Sequence, residues 1–322
     1  MIFSACGGGG DGGSKNNAED DTSGEPSAPP VTVQAPKNLQ ADFNDHQLLL
    51  TWDSVPEVDS YSVYYSAEPG ISAENYAAND GGIWLRDVSS PLTITELQNN
   101  VGYFAVVTAI KKDIESSTSN EAAALVRDPE ALIAGRYKPI NTQGDVILDT
   151  VNSLYWQRCS VGQNWSLKDQ TCTGYYTEMS WYDAVETYGT WADLERLPDA
   201  YLIDLNLPLP EGEWRLPKIQ QLVTLLYCST KRPQEFTEFS TRAYCSGRDY
   251  QRPTIVQEAF PNSSTYDVWS GSSSGPMDDY AEVGDENWLN VDSAWRAHFY
   301  SFGFSDNSRV STNAMRLMRP MD

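Results

Sequence analysis

Short runs of alternating apolar and polar positions, separated by turn residues, fill residues 36–127. Apolar residues two positions apart fall on one face of a strand. The first two such faces are Leu48, Leu50 and Trp52, followed by Tyr61, Val63 and Tyr65. Further runs cover 92–94, 103–110 and 122–126. This pattern predicts an antiparallel β-sandwich of roughly seven strands.

The run from Tyr103 to Ile110 is apolar on both faces. If Tyr103 and the residues in step with it point into the sandwich, the other set points outward. That outward set is Phe104, Val106 and Ile110. Two interpretations stay open: the following domain covers this row, or the row is ordinary exposed apolar surface.

Several positions in this region resemble a fibronectin type III domain. They include residues 50–52 (LTW), Tyr61, residues 119–121 (SNE), and Leu97 six residues before Tyr103. The resemblance implies a tyrosine corner, in which the Tyr103 hydroxyl bonds to the upstream backbone. It also implies a spacer or adhesion unit with no catalytic site.

Two helices are predicted in the second half of the chain. Ser180 and Asp183 form a capping box, and Trp181, Ala184, Val185 and Tyr188 then recur at helical spacing. Pro217 is expected in the first turn of the second helix. Its apolar stripe is Ile219, Leu222, Val223 and Leu226. The remainder indicates short strands and long polar loops.

Composition narrows the classes of function. The chain has 45 acidic and 22 basic residues, a net charge of −23, and only two histidines. The negative field disfavours nucleic acid as a partner, and the scarcity of imidazole disfavours histidine metal sites. Ten Trp and 18 Tyr are typical of extracellular recognition or of a β-rich core. No apolar run reaches the ~20 residues of a membrane span.

Four of the five cysteines, Cys159, Cys172, Cys228 and Cys245, lie in the second half of the chain. They allow three disulfide connectivities, of which we favour the sequence-local pairs Cys159–Cys172 and Cys228–Cys245. The alternative, a four-thiolate zinc site, usually has C-x-x-C pairs that are missing from the sequence.

The fifth cysteine, Cys6, follows residues 3–5 (FSA) and precedes four glycines. This segment resembles the lipobox of bacterial lipoproteins, which implies that Cys6 is lipidated. Residues 1–5 are shorter than an h-region, so we expect the natural start further upstream. Residues 1–35 are otherwise a Gly-, Ser- and acid-rich linker. The prediction is a bacterial cell-envelope protein, at the outer membrane or cell surface, that touches the membrane only through its lipid.

Residues 135–322, after a linker at 128–134, resemble the C-terminal domain of bacterial collagen-like adhesins. The motifs, in chain order, are 154–159 (LYWQRC), 181–184 (WYDA), 212–217 (GEWRLP), 259–262 (AFPN), 268–270 (VWS) and 315–319 (MRLMR). The resemblance implies an α+β C-type-lectin-like fold that binds an extracellular glycan or protein, sulfated glycans in some adhesins. Residues 194–210 depart from it as an insertion.

The loops between Asn262 and Asn307 are the predicted recognition surface. They contain many carboxylate and amide side chains, whose oxygens are the ligands that calcium prefers. A calcium site is therefore one hypothesis, and a solvated acidic loop is the other. The candidate ligand or calcium residues are Asp278, Asp279, Tyr280, Glu282, Asp285, Glu286, Asn290 and Asp292. The Glu-Pro-Asn motif of sugar-binding C-type lectins is missing. No other cofactor is expected.

An enzyme is the alternative function. Residues 271–275 (GSSSG) fit G-x-S-x-G around Ser273, and Asp292 and His298 follow in α/β-hydrolase order. A nucleophile elbow requires a strand before the serine and a helix after it, whereas Pro276 and an acidic loop follow here. We therefore expect a non-catalytic protein.

Overall fold

The computed structural model describes residues 32–79, 81–191, 214–229, 245, 250–274 and 293–321. Val33–Asp322 forms one compact unit. Within the described ranges, no helix is long and apolar enough to cross a bilayer. Cys6, the insertion at 194–210 and the eight acidic-loop residues from Asp278 to Asp292 lie outside them.

Two antiparallel sheets form the first domain. One contains β1, β2 and β5 in that order; in the other, β4, β3 and β6 lie side by side, and both β7 and β8 pair with β6. The strands are β1 (Gln40–Asn44), β2 (Gln47–Thr51), β3 (Ser60–Ser66), β4 (Ile83–Val88), β5 (Leu92–Ile94), β6 (Val101–Lys111), β7 (Ile114–Glu115) and β8 (Ala122–Val126). This is the predicted sandwich, with β7 as a short addition. A 3₁₀ turn covers Tyr76–Ala78.

The sandwich core uses the alternating faces that the sequence indicates. Leu48, Leu50 and Val63 are fully buried. The ring of Trp52 packs edge-on against Tyr61, with centroids 5.5 Å apart. The Tyr103 hydroxyl accepts a hydrogen bond from the Gln98 amide at 3.2 Å, which confirms the predicted corner.

The outward face of β6 is covered mainly by other residues of the sandwich. Phe104 and Val106 are buried in a cluster with Tyr64, Ile71 and Leu125, to which the next domain adds Leu167. Ile110 is only half-buried. The apolar row is thus covered at Phe104 and Val106, and among the described residues the following domain supplies only part of that cover.

Hydrogen bonds also cross this junction. The Leu125 amide donates to the Thr142 carbonyl at 2.7 Å. The buried Arg127 donates through Nη2 to the carbonyls of Pro139 and Asn141, both at 2.9 Å. Lys168 forms an ion pair with Glu68 of the sandwich. The two domains are therefore joined by packing and by hydrogen bonds.

The described residues of the second domain form three sheets. β9 (Tyr137–Pro139), β10 (Val146–Asp149), β11 (Leu154–Gln157) and β19 (Met318–Pro320) form one, in the order β19-β11-β10-β9, and β12 (Asn164–Ser166) pairs with β13 (Thr171–Thr173). The third has the order β14-β18-β15-β16-β17, from β14 (Glu178–Ser180), β15 (Asp267–Ser273), β16 (Ser293–His298), β17 (Gly303–Ser308) and β18 (Thr312–Ala314).

Both predicted helices are present. α1 (Trp181–Tyr188) begins after Ser180, whose Oγ accepts from the Asp183 amide at 3.1 Å, and it buries Trp181, Ala184 and Val185. α2 (Ile219–Leu222) is a single turn that continues as a 3₁₀ turn over Val223–Leu225. All four residues of its predicted stripe are buried. The β-branched Val223 and Thr224 are poor helix formers, consistent with this early end.

Candidate functional site

The residues predicted for the enzyme alternative lie on neighbouring strands but at opposite ends. In the pairing of β15 with β16, His298 is opposite Asp267 and Ser273 is opposite Ala294. Six residues along a strand correspond to about 20 Å. Ser273 is the last residue of β15, and its Oγ accepts from Arg309 Nη2 at 2.6 Å. The register of β15 on β16 therefore contradicts the alternative in which Ser273 and His298 act as a pair.

His298 instead lies in a hydrogen-bonded chain across three strands. Its Nδ1 is 2.5 Å from Asp267 Oδ1 on β15, and its Nε2 is 2.8 Å from Ser305 Oγ on β17. The other Asp267 oxygen pairs with Arg296 at 2.5 Å. The order serine, histidine, carboxylate resembles a catalytic triad. Here, however, the Asp267 carboxylate is also paired with the Arg296 guanidinium. We therefore interpret these hydrogen bonds as contacts that stabilise the pairing of β15, β16 and β17.

Sequence spacing did not reveal Ser305. It follows His298 by only seven residues and belongs to no motif, and it reaches the imidazole because β16 and β17 form a hairpin.

Two buried arginines, Arg316 and Arg158, connect distant segments of the second domain by hydrogen bonds. Arg316 donates to the carbonyls of Gln157 and Arg158 and to the hydroxyls of Ser160 and Ser263. Burial lowers the pKa of Arg316 to about 9, which leaves it charged at neutral pH. No carboxylate is among these partners, so the charge is balanced by carbonyl and hydroxyl dipoles.

Arg158 is fixed in the same way. It donates to the carbonyls of Ala259 (3.1 Å), Gly144 (2.8 Å) and Glu258 (2.8 Å). Its Cζ lies 4.0 Å from the ring centroid of Trp165. Desolvation lowers the pKa of Arg158 to about 10. The guanidinium is thus engaged on its edges and on one face.

A cleft of about 430 Å³ opens beside Arg158. One wall is formed by residues 157–165, which include the end of β11 and the start of the Cys159–Cys172 loop. The lining also includes Asp145, which adjoins Arg158, together with Tyr188 at the end of α1 and Trp214. Trp165, Tyr188 and Trp214 are each half-buried, so their rings contribute to the lining and stay accessible.

The wall has a fixed backbone. Gly162 has φ +91°, and an added Cβ would lie 2.3 Å from Thr177 Oγ1, so a side chain is excluded on both counts. The Thr177 amide donates to the Val161 carbonyl at 2.7 Å. Together with Arg316, which binds the carbonyls of residues 157 and 158, these contacts give the cleft one defined shape.

The family described as the Lcl C-terminal domain matches residues 145–319, more than half of the chain. The chain belongs to this family. The match includes every residue of the cleft and of the Asp267–His298–Ser305 chain. Membership favours a non-enzymatic binding or adhesion protein.

Solved structures resemble a further part of the chain. A Fn3-like protein from Clostridium thermocellum is 23% identical, covering 32% of this chain and 99% of its own, with a TM-score of 0.25. The fn3 domain of human collagen alpha-1(XX) is 19% identical, covering 33% and 97%, with a TM-score of 0.26. No curated protein matches the chain.

The Lcl C-terminal domain contains both predicted disulfides, Cys159–Cys172 and Cys228–Cys245. This confirms the local pairing, and the four-thiolate zinc alternative is wrong because no thiolate is left among the four. Among the described residues, no three His, Cys, Asp or Glu side chains group as a metal site. The candidate calcium loop is outside those residues.

Proposed function

We propose that this chain is a non-catalytic cell-surface protein that binds an extracellular glycan or protein through its Lcl C-terminal domain. The observation that carries the proposal is the family match over residues 145–319. Two disulfides are consistent with an oxidising compartment outside the cytoplasm, where such bonds persist. The sandwich would act as a spacer between the envelope and this domain.

Much of the predicted recognition range, residues 262–307, forms β15, β16 and β17, so recognition is proposed to involve residues 275–292, between β15 and β16, which lie outside the described residues. The acidic residues there, Asp278, Asp279 and Asp285 among them, are proposed as ligand or calcium contacts. Their replacement by Ala should keep the circular dichroism spectrum and weaken adhesion or calcium-dependent stability. If binding and melting with and without EDTA are unchanged, this loop is only a solvated surface.

Attachment to the envelope is proposed through a lipid on Cys6. Expression from an upstream start codon should give a palmitate-labelled protein whose processing is blocked by globomycin. A Cys6→Ala variant should lose the label. Full labelling of that variant would show that the lipid, if present, is elsewhere.

The binding function is tested with the purified full chain on an array of glycans and matrix proteins, together with adhesion of cells that display it. We expect saturable binding to at least one class and no esterase activity. Ser273→Ala serves as the enzyme control: an esterase activity that this substitution abolishes would show that the protein is a hydrolase. Absence of both array binding and cell adhesion would refute the binding proposal.

A further inference from the structure

Among the described residues, the cleft beside the Cys159–Cys172 loop is lined by side chains that lie outside residues 262–307, and some of them are polar. The side-chain amides of Gln157 and Asn164 line it and make no hydrogen bond within the described part of the chain. Asn164 is exposed and Gln157 half-buried. Each amide offers donors and an acceptor to a ligand.

Aromatic surface lies among these amides. Trp165, Tyr188 and Trp214 line the same cleft. Trp165 is held in place by Arg158 on one face and by a hydrogen bond from its Nε1 to the Gln143 carbonyl at 2.8 Å. A ring fixed in this way loses little conformational entropy when a ligand packs on it.

The charges of the cleft disfavour an anionic ligand. Arg158 is the guanidinium in the lining, and its donors are engaged by three carbonyls. Asp145 adds a carboxylate that is exposed to solvent. The net charge of −23 repels polyanions at longer range. What the cleft offers is therefore amide, hydroxyl and carboxylate groups beside aromatic faces.

We infer that this cleft binds a neutral saccharide unit of an extracellular glycan, with its hydroxyls on Gln157, Asn164 and Asp145 and its ring beside the aromatic side chains. Such a unit has a C–H face for aromatic packing and hydroxyls that both donate and accept. The volume of about 430 Å³ is within the range of small-ligand sites. This inference rests on the proposed binding function and specifies a second site and a ligand class for it.

Two of the strands that border the cleft, β10 and β11, leave no edge for a peptide, whereas β12 pairs only with β13 among the described strands. β10 lies between β9 and β11, and β11 lies between β10 and β19. Neither strand offers a free edge to which an extended peptide could add main-chain hydrogen bonds.

The test measures binding of the full chain to defined probes: immobilised neutral hexasaccharides of glucose, mannose and N-acetylglucosamine, and heparin as the sulfated probe. We expect at least one neutral hexasaccharide to bind and heparin to bind weakly. Gln157→Ala with Asn164→Ala removes two side chains without intramolecular partners and should weaken neutral-sugar binding about tenfold.

Val151→Ala is the control, because Val151 has an exposed side chain, 54% accessible, outside both the cleft lining and residues 262–307. It should leave the affinity within about twofold, as expected for a surface change remote from the site. Trp165→Phe, which keeps a ring but loses the indole N–H, is a second cleft variant. It should reduce affinity while near-UV circular dichroism shows a folded domain.

Three results would overturn the inference. If the double variant and the unchanged protein bind neutral sugar with equal affinity, the site lies elsewhere. Binding of heparin alone would refute the ligand class. Absence of binding to every saccharide probe would refute the site itself. In each case, adhesion of displaying cells to matrix proteins tests the proposed binding function independently.

Discussion

The two domains solve the problem of a stable interior in different ways. The sandwich core is a continuous cluster of apolar side chains from long alternating strands, such as β6 with 11 residues. The Lcl C-terminal domain has many strands of only three or four residues. Among the described residues, all buried charged side chains, five Arg and one Asp, follow Val126.

This difference follows from how buried backbone carbonyls obtain hydrogen-bond donors. Long strands satisfy their carbonyls by pairing, whereas buried loops require donors from side chains. An arginine presents five N–H groups in a planar fork and can serve several loops at once. Arg158 and Arg316 do this for segments about 100 or more residues apart in the chain. In the second domain, arginines therefore replace part of what strand pairing does in the first.

The largest effect is expected from Arg316→Met. The substitution keeps the length of the apolar stem but leaves two carbonyls and two hydroxyls without their donor. Because each unsatisfied buried group costs about 1–3 kcal/mol, we expect a loss of about 4 kcal/mol in the free energy of unfolding. Urea titration followed by near-UV circular dichroism measures it. A loss below about 1 kcal/mol would show that water replaces the guanidinium without penalty.

Removal of the Cys159–Cys172 disulfide should have the next largest effect. Replacement of both cysteines by serine opens a loop with a sequence separation of 13. Chain entropy predicts a loss of about 3 kcal/mol. The Cys228–Cys245 double variant, with a separation of 17, is the matched comparison and should lose a similar amount. Non-reducing peptide mapping confirms the pairing, and free thiols in periplasmically expressed protein would contradict it.

A smaller effect is expected at the junction between the domains. Leu167 is buried against the outward face of β6, and Leu167→Ala should cost about 2–3 kcal/mol. It should also separate the unfolding of the two domains in calorimetry, because it removes part of their shared core. Leu49→Ala, at a side chain 38% exposed, is the control and should change stability by less than about 0.5 kcal/mol. Equal effects of both substitutions would show that the junction contributes nothing.

The smallest effect is expected at the exposed pair of Glu57 and Lys111. The hydrogen bond from Lys111 lowers the pKa of the Glu57 carboxyl. Such a depressed pKa adds stability above the unfolded pKa that disappears as the pH falls through the folded value. Since this pair is in solvent and screened by salt, Glu57→Gln should leave the melting temperature at pH 7 and pH 4 unchanged. A clear drop at pH 7 alone would contradict this.

Local signals in the sequence predicted more of the first domain than of the second. The period of two on β2 and β3, the corner at Tyr103 and the capping box at Ser180 depend on residues close in the chain. Each was visible without knowledge of the fold. The fibronectin-like and adhesin-like motifs then supplied the order of the domains.

Contacts between distant segments escaped this approach. The alternative that joined Ser273 to His298 relied on motif order, and the register of β15 on β16 separates the two. The cleft brings together Asp145, residues 157–165 and Trp214, and the partners of Arg316 include Ser263. Sequence periodicity carries no information about such long-range contacts, because they depend on how the sheets pack.

The position of β19 has a consequence for biosynthesis. Met318 is fully buried and pairs with Trp156 on β11, and Arg316 reaches carbonyls more than 150 positions earlier. The described strands of the sandwich are all present once residue 126 has been synthesised, whereas the second domain lacks the edge strand β19 until residue 320 has been added. The first domain can therefore fold during synthesis, while the second stays incomplete until β19 has been made.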